Sequence, residues 1–402
     1  MTAPSLVLGV ETQIGLALVR ELGRAGVRVI AMSHDERAIG LQSRHVWRRE
    51  LIGPPRSDAV VDAINRLARE LGPLSLLAVS EVNLQWLNGV RGRLHPDVKL
   101  AVPTAEALAS VLDKSRTLAA ARSVGIDVPA TVEPTSMAEL RTLAPTLSYP
   151  VVLKWKDVNA IAPRLRAAGL EVVKAEYVRS ASALLDACRR YEPVGAWPLI
   201  QEYCAGHGLG QFFFIHEGRV VRRFQHQRVA EWPPEGGFSS VCDALPLSEH
   251  AVLFERSAAL LARLGWQGVA MVEYRHDPAT GRSRLMEING RYWGSLPLAV
   301  ACGAGFALFS HAAALGEPLP QLPEPRSGLR CRMVATEVKR LRRLWLQRGL
   351  ILDPLFVPRP LADTLRFVVD FLRPSVRYFV WSLDDPRPAW RDLRNALSRD
   401  KD

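Results

Sequence analysis

Apolar positions along the first eighty residues alternate between two rhythms. "SLVLGV" (5–10) is a short unbroken apolar run, which predicts a buried strand. "TQIGLALVRELGRAG" (12–26) has helical spacing and ends on Gly26, and "VRVIAMS" (27–33) reads as a second strand. A helix over 58–72 and a strand over 74–80 repeat the pattern, with Glu81 just past the strand end. Strand–helix alternation of this kind predicts an open parallel α/β sheet. Its first turn, "GVETQIG", has two glycines but is not GxGxxG, so it is expected to be a structural βα turn rather than a dinucleotide site.

The rhythm then changes. Residues 102–131 read as helical linker closing in a turn around Gly125 and Pro129. "YPVVLKW" (149–155) is a strand carrying Lys154, and 183–193 a helix. Residues 197–232 read as two or three antiparallel strands with glycine turns, 249–266 as a long helix, and 268–289 as a hairpin turning at "DPATG". Proline-rich "GEPLPQLPEPRSG" (316–328) marks a boundary. The expected organisation is therefore 1–105, an N-terminal α/β domain; 106–198, linker helices and a small lid subdomain; 199–318, a second α+β lobe; and 319–402, a basic, partly helical extension.

The hairpin holds the densest chemistry. Pairing symmetric about Thr280 sets Glu273 opposite Glu287, with Asn289 on the same face. Opposed carboxylates repel unless a cation bridges them or one is protonated. Two carboxylates and an amide oxygen form a hard-oxygen set suited to Mg²⁺, and Arg291 beyond them is suited to an anion. Solvated acids on an exposed hairpin are the competing reading. Lys154, at the end of a buried strand, reads either as a snorkelling side chain or as a fixed cation for nucleotide phosphates. Lys114, in "LDKSRT", carries little weight by itself.

In order, "DK…GIDVP…YPVVLK…LIQEYCAGHG…MVEY…LMEINGRYWGS" resembles the ATP-grasp superfamily, in the style of its carbamoyl-phosphate-synthase-like and carboxylate–amine ligase branch, over roughly 5–316. The resemblance implies a two-lobed ATP-grasp domain after the N-terminal sheet. It implies an enzyme that uses ATP and Mg²⁺, with Mn²⁺ as a substitute, to activate a carboxylate as an acyl phosphate and join it to an amine, releasing ADP and phosphate. Glu273, Glu287 and Asn289 match metal ligands, Lys154 and Lys114 phosphate-facing lysines, and Arg291 the arginine on the acyl or transferred phosphoryl group. Gln201, Glu202, Tyr203 and Cys204 match the hinge strand facing adenine. His226 and Arg228 match a basic strand pointing into the site, and Gly236-Gly237 a loop beside the substrate. Two departures stand out. The stretch after Lys154 is long and poor in glycine where relatives carry a glycine-rich lid loop, and Gly206-His207-Gly208 stands where many carry a ribose-binding glutamate. The competing functions are a non-catalytic ATP-binding sensor and a bicarbonate-activating, carboxylase-like enzyme.

Composition adds three constraints. Five scattered cysteines without CxxC argue against a disulfide framework or zinc site and fit a reducing cytoplasm. "MTAPSLVLGV" lacks a charged leader region, and no uncharged apolar run reaches the roughly 18 residues of a span. Of the formal charge of +11, +8 lies in 326–402, where 17 Lys+Arg face 9 Asp+Glu. There Trp345, Phe356, Phe367, Phe371 and Trp381 interleave with arginines. The segment is expected to pack helices on the core with a solvated basic face, or to contact an anionic membrane peripherally. Lying outside the motif set, it is expected to be dispensable for chemistry. Small-molecule substrates are the expected partners, homo-oligomers are compatible with the sequence, and nucleic acid is not expected.

Overall fold

The computed structural model describes residues 3–173, 175–353 and 355–399, without the side chains of 159 and 397–399. The strands fall into three sheets that follow one another along the chain. The first holds β1 (Ser5–Leu8), β2 (Val29–Ser33), β3 (Val46–Leu51), β4 (Leu74–Ala78) and β5 (Val98–Leu100), all parallel in the order β3-β2-β1-β4-β5. Its order reverses at β1 and β4, the place where open α/β sheets form a crevice at their carboxyl ends. The turn after β1 is the expected tight βα turn. Gly9 has φ +105°, and a Cβ on Gly15 would stand 2.3 Å from the Gly9 carbonyl oxygen.

The second sheet lies mostly in the stretch expected to form a lid and holds β6 (Thr131–Val132), β7 (Val151–Lys154), β8 (Glu176–Val178) and β9 (Leu199–Glu202), antiparallel in the order β6-β9-β7-β8. Met137, Leu140, Leu153, Leu184 and Ile200 give it a core of its own. The glycine-poor stretch after Lys154 forms a helix, Val158–Ala167, rather than a loop. Beside it, Trp155 packs edge-on against Tyr191 at 5.0 Å, and Arg164 donates to the Val194 carbonyl.

The third sheet contains β10 (His207–His216), β11 (Arg219–Trp232), β12 (Phe238–Ala244), β13 (Gly268–Asp277), β14 (Arg282–Asn289), β15 (Arg330–Arg332) and β16 (Val376–Tyr378). Their order is β14-β13-β10-β11-β12-β15-β16. Phe212, Phe224, Met271 and Trp293 from this lobe share one core with Val7 and Val29 of the first sheet and Leu16 of the helix Gln13–Arg24, so the two lobes pack as one body. The linker helices Ala105–Leu112 and Lys114–Ser123 join the same body through Leu108, Val111, Leu118 and Ala121.

The C-terminal stretch departs from the expectation of helices laid on a finished core. β15 pairs with β12 (Cys242 opposite Cys331), and β16 with β15. Arg330 bonds both Asp243 and Asp370. Further on, Asp385 is fully buried and accepts from Arg20 Nε at 3.0 Å, Ser43 Oγ at 2.6 Å and the Arg44 amide at 2.9 Å. These bonds weld the segment to both lobes and argue against its being dispensable.

Candidate active site

The β13–β14 hairpin sets Glu273 directly opposite Glu287 and Met271 opposite Asn289. The pairing is not symmetric about Thr280 throughout. Nearer the turn Asp277 faces Arg282 and Tyr274 faces Leu285, and a bulge at Met286 then shifts the register by one. Without that extra residue Glu287 would turn to the face of Tyr274 and Leu285, both fully buried in the core. The row continues across the sheet: Glu273 faces Gly210, Gly210 faces His226, and His226 faces Ala244. One face therefore carries Glu287, Glu273, a glycine floor, His226 and, two residues along β11, Arg228.

The floor has to be glycine. A Cβ on Gly208 would lie 2.4 Å from Arg228 Cδ, and one on Gly210 2.7 Å from His226 Nε2. Arg228 crosses Gly208 to set Nη2 2.7 Å from Glu273, while Nη1 donates to Glu231 at 3.0 Å and to the Gly237 carbonyl at 2.7 Å. Arg275 closes the network on Glu231 at 3.0 Å. Burial pulls the Arg228 guanidinium down, but Glu273 and Glu231 outweigh it and hold it above its ordinary value. Burial raises the Glu273 carboxyl and Arg228 only partly offsets it, leaving it above the usual carboxylate range. Burial also acts on Glu287, yet Lys114, Lys154 and Arg291 together hold it below that range. The opposed acids are thus tolerated in the protein itself. One is paired with a buried arginine and the other lies in the field of three cations.

Glu287 also accepts from Asn289 Nδ2 at 3.2 Å. Each carboxylate keeps one oxygen without a protein partner among the described residues, and the Asn289 amide oxygen is likewise uncommitted. Three uncommitted hard oxygens at neighbouring register positions fit a Mg²⁺ ion that also binds phosphate and water. Lys154, at the end of β7, donates to Gln201 Oε1 at 2.9 Å, and burial lowers its ammonium while Glu287 raises it. Lys114, uninformative in sequence, begins a helix capped by Asp113 and acts electrostatically on both Lys154 and Glu287. Gly290 is obligatory between Asn289 and Arg291, because a Cβ there would lie 2.3 Å from Trp266.

Several expected residues are placed differently. His226 is on the site face but is not a cation. It is fully buried against Phe212 at 4.8 Å, neither ring nitrogen has a partner among the described residues, and burial holds its pKa well below the ordinary value. Arg291 is engaged within the protein: Nε donates to Glu81 at 3.0 Å and Nη1 to the Tyr292 carbonyl. The hinge side chains are committed within the protein. Glu202 is held by Arg284 at 3.0 Å and by the Ala130 amide at 3.1 Å, and Tyr203 donates to Asp353 at 2.9 Å. Cys204 accepts from Arg284, and burial pushes its thiol up. Sequence reading missed Glu231 and Arg275 because their roles rest on a bulged strand and a crossing side chain. It missed Glu81 as the Arg291 partner because 210 residues separate the two.

A cleft of about 620 Å³ opens between the linker helices and the lobe of the second sheet, lined by Asp113, Arg116, Glu133, Trp155 and Lys156. None of the acid-pair residues lines it.

Residues 234–337 match a family model described as ATP-grasp in the biosynthetic pathway with Ter operon. No curated protein matches the chain. Among solved structures, the chain resembles the biotin carboxylase domain of 2-oxoglutarate carboxylase from Hydrogenobacter thermophilus at 16% identity. There the match covers 82% of this chain and 74% of that one, with a TM-score of 0.62. An L-amino acid ligase from Bacillus licheniformis matches at 18% identity, over 81% and 76%, with a TM-score of 0.57. N5-carboxyaminoimidazole synthetase from Staphylococcus aureus matches at 13%, over 80% and 79%, with a TM-score of 0.58. At these identities the likeness is one of fold. The N-terminal parallel sheet, the small antiparallel sheet and the large antiparallel sheet together form an ATP-grasp fold, and residues 234–337 match an ATP-grasp family model.

Proposed function

We propose that the protein is an ATP- and Mg²⁺-dependent ligase that phosphorylates a carboxylate and passes the acyl group to an amine or another nucleophile, releasing ADP and phosphate. The observation that carries this is the gathering of Glu273, Glu287 and Asn289 with Lys154, Lys114 and Arg291 on one side of the hairpin. Glu273, Glu287 and Asn289 would hold the cation, which when bound neutralises charge on the phosphate oxygens. Lys154, fixed by Gln201, and Lys114 would meet phosphate from the lid side and the linker side. Phosphoryl transfer needs alignment and charge neutralisation more than covalent help, and these residues supply both. Because the Glu202 and Tyr203 side chains are engaged, adenine would meet mainly the hinge backbone.

Arg291 receives the acyl substrate in this reading. Its present partner, Glu81, stands just beyond β4 at the sheet's carboxyl end. An incoming carboxylate would exchange with Glu81 for the guanidinium and come to lie beside Glu287. Cys204 and Cys242, whose thiols burial pushes up, do not serve as nucleophiles.

A second reading, bicarbonate as the activated carboxylate, is favoured by one observation: biotin carboxylases and a carboxyaminoimidazole synthetase stand among the structural relatives. A screen of ADP release against a matrix of carboxylates and amines, with bicarbonate included, separates the two. With the active pair found, oxygen-18 in the substrate carboxylate should appear in the released phosphate. Its appearance in AMP would sink the acyl-phosphate mechanism.

A further inference from the structure

The segment 334–373 is built inside out. The helix Pro360–Val369 turns Asp363 inward, where it pairs with Arg340 at 2.7 Å and Arg366 at 2.8 Å. Beneath it Arg332, fully buried, pairs with Glu337, and Asp370, also fully buried, pairs with Arg330. The opposite face of the same helix presents Leu361, Leu365 and Val368, continued by Leu372, at 73%, 66%, 54% and 83% exposure. Spacings of four, three and four residues place them in one stripe. A helix of a water-soluble surface has the reverse arrangement, polar out and apolar in. Leu346 and Leu350, ahead of it in the chain, are exposed as well.

Charge follows the same inversion. Between 338 and 373 the acidic residues are Asp353, Asp363 and Asp370, and all three are buried. The exposed charges of that stretch are Lys339, Arg342, Arg348, Arg359 and Arg373, all positive, with Arg373 also paired to the buried Asp370. The outer surface therefore offers leucines and cations with no exposed carboxylate among the described residues. A second copy of the chain would bring the same cations against these, so self-association through this face is opposed by like charge. A surface that is apolar at depth and anionic at its boundary complements both features.

We propose that this face seats the protein on an anionic lipid bilayer, with the stripe Leu361, Leu365, Val368 and Leu372 entering the acyl boundary and the five cations meeting headgroup phosphates. The attachment is peripheral, since no described helix is long and apolar enough to cross a membrane. It would also bring the bilayer close to the nucleotide hinge. Asp353 of the same segment holds Tyr203, and the Leu352 amide donates to Glu235 at 3.2 Å, next to the Gly236-Gly237 loop.

The test sediments the full chain with vesicles of phosphatidylcholine alone and of phosphatidylcholine mixed with phosphatidylglycerol, at low and high salt, and follows its mass by light scattering without lipid. Binding to the anionic vesicles should exceed that to the neutral ones by at least about tenfold and weaken with salt. Leu365→Ser with Leu372→Ser should lower it by about tenfold or more at unchanged melting temperature. Leu361→Ser with Val368→Thr provides an independent pair if the first misfolds. Arg348→Gln with Arg359→Gln should remove most of the preference for the anionic lipid. Equal recovery from both vesicles, or binding that both apolar pairs leave untouched, would overturn the proposal. So would a dimer in solution that the leucine variants dissociate, which would assign the face to a second copy. A monomer that ignores both lipids would overturn it too, leaving the face to another protein.

Discussion

Arg228 lies across Gly208 and places Nη2 2.7 Å from the Glu273 carboxylate, so one member of the opposed acid pair is neutralised by a buried side chain from the same face of the sheet, two strands away. The other member, Glu287, has no such direct cationic partner among the described residues and depends on the field of Lys114, Lys154 and Arg291. That division suggests different jobs for the two acids and different consequences on removing them.

Replacing Arg228 by Met should be costly to stability. It strands Glu273 and Glu231 in the interior, and breaking a buried pair from one side costs about 3–5 kcal/mol. Urea unfolding at neutral pH measures this. A loss within about 0.5 kcal/mol, typical of a surface change, would show that Arg228 is not the charge that holds Glu273.

Glu287→Gln should behave in the opposite way. The fold should survive with a small change in melting temperature, while ATP turnover falls by about a hundredfold or more, since the acid serves the cation and phosphates rather than the core. Initial rates over a Mg²⁺ titration provide the check. An unchanged rate at saturating Mg²⁺ removes the residue from the ligand set.

Glu21 makes stability depend on pH. It is buried under the helix Phe306–Leu315, accepts from the Ala307 amide at 2.6 Å, and burial raises its carboxyl to about 7. A carboxyl raised on folding binds more protons in the native state between its unfolded and folded values. Stability contributed there is full below about 4.5 and is lost as pH rises toward about 7, amounting to about 3 kcal/mol. Glu21→Gln, which keeps an acceptor for Ala307, should flatten the fall in stability between pH 5 and 8 and melt higher than the parent at pH 8. Parallel curves for the two proteins would contradict it.

Ending the chain near Gly328 should leave a protein that does not fold. The cut removes β15 and β16 from the large sheet, exposes the β12 edge, and takes Asp385 from the buried Arg20. Asp385→Ala alone should cost about 3–5 kcal/mol by stranding that arginine. A soluble, cooperatively melting fragment ending at 328 would show that the two lobes stand without the segment.

How far the sequence could be read varies with the range of the interaction. The strands β1, β2 and β4 with their helices, the Glu273–Glu287 opposition and the strand lysine Lys154 are legible because they rest on local periodicity and one hairpin turn, whereas β3, "VWRREL", is not. Even there, a symmetric register predicts the pairing, whereas the chain arrives at it through a bulge at Met286 that no residue type announces. β15 and β16 are three residues each, "RCR" and "VRY", too short for alternation to register. The Val158–Ala167 helix is obscured by Pro163 within it. Arg291 looked like a free cation because Glu81, its partner, is set against it only by the packing of two lobes. His226 looked basic because sequence does not report burial, and burial decides its charge.

The Arg20–Asp385 pair spans 365 positions of the chain. During synthesis Arg20 leaves the ribosome 365 positions ahead of the carboxylate that neutralises it. Over that interval the first sheet carries a charged group that it cannot yet bury at low cost. Its helix Gln13–Arg24 gains the partner of Arg20 only when Asp385 has followed the final strand of the large sheet. A contact of that range closes late, so the first sheet and the segment that carries Asp385 reach their final packing together.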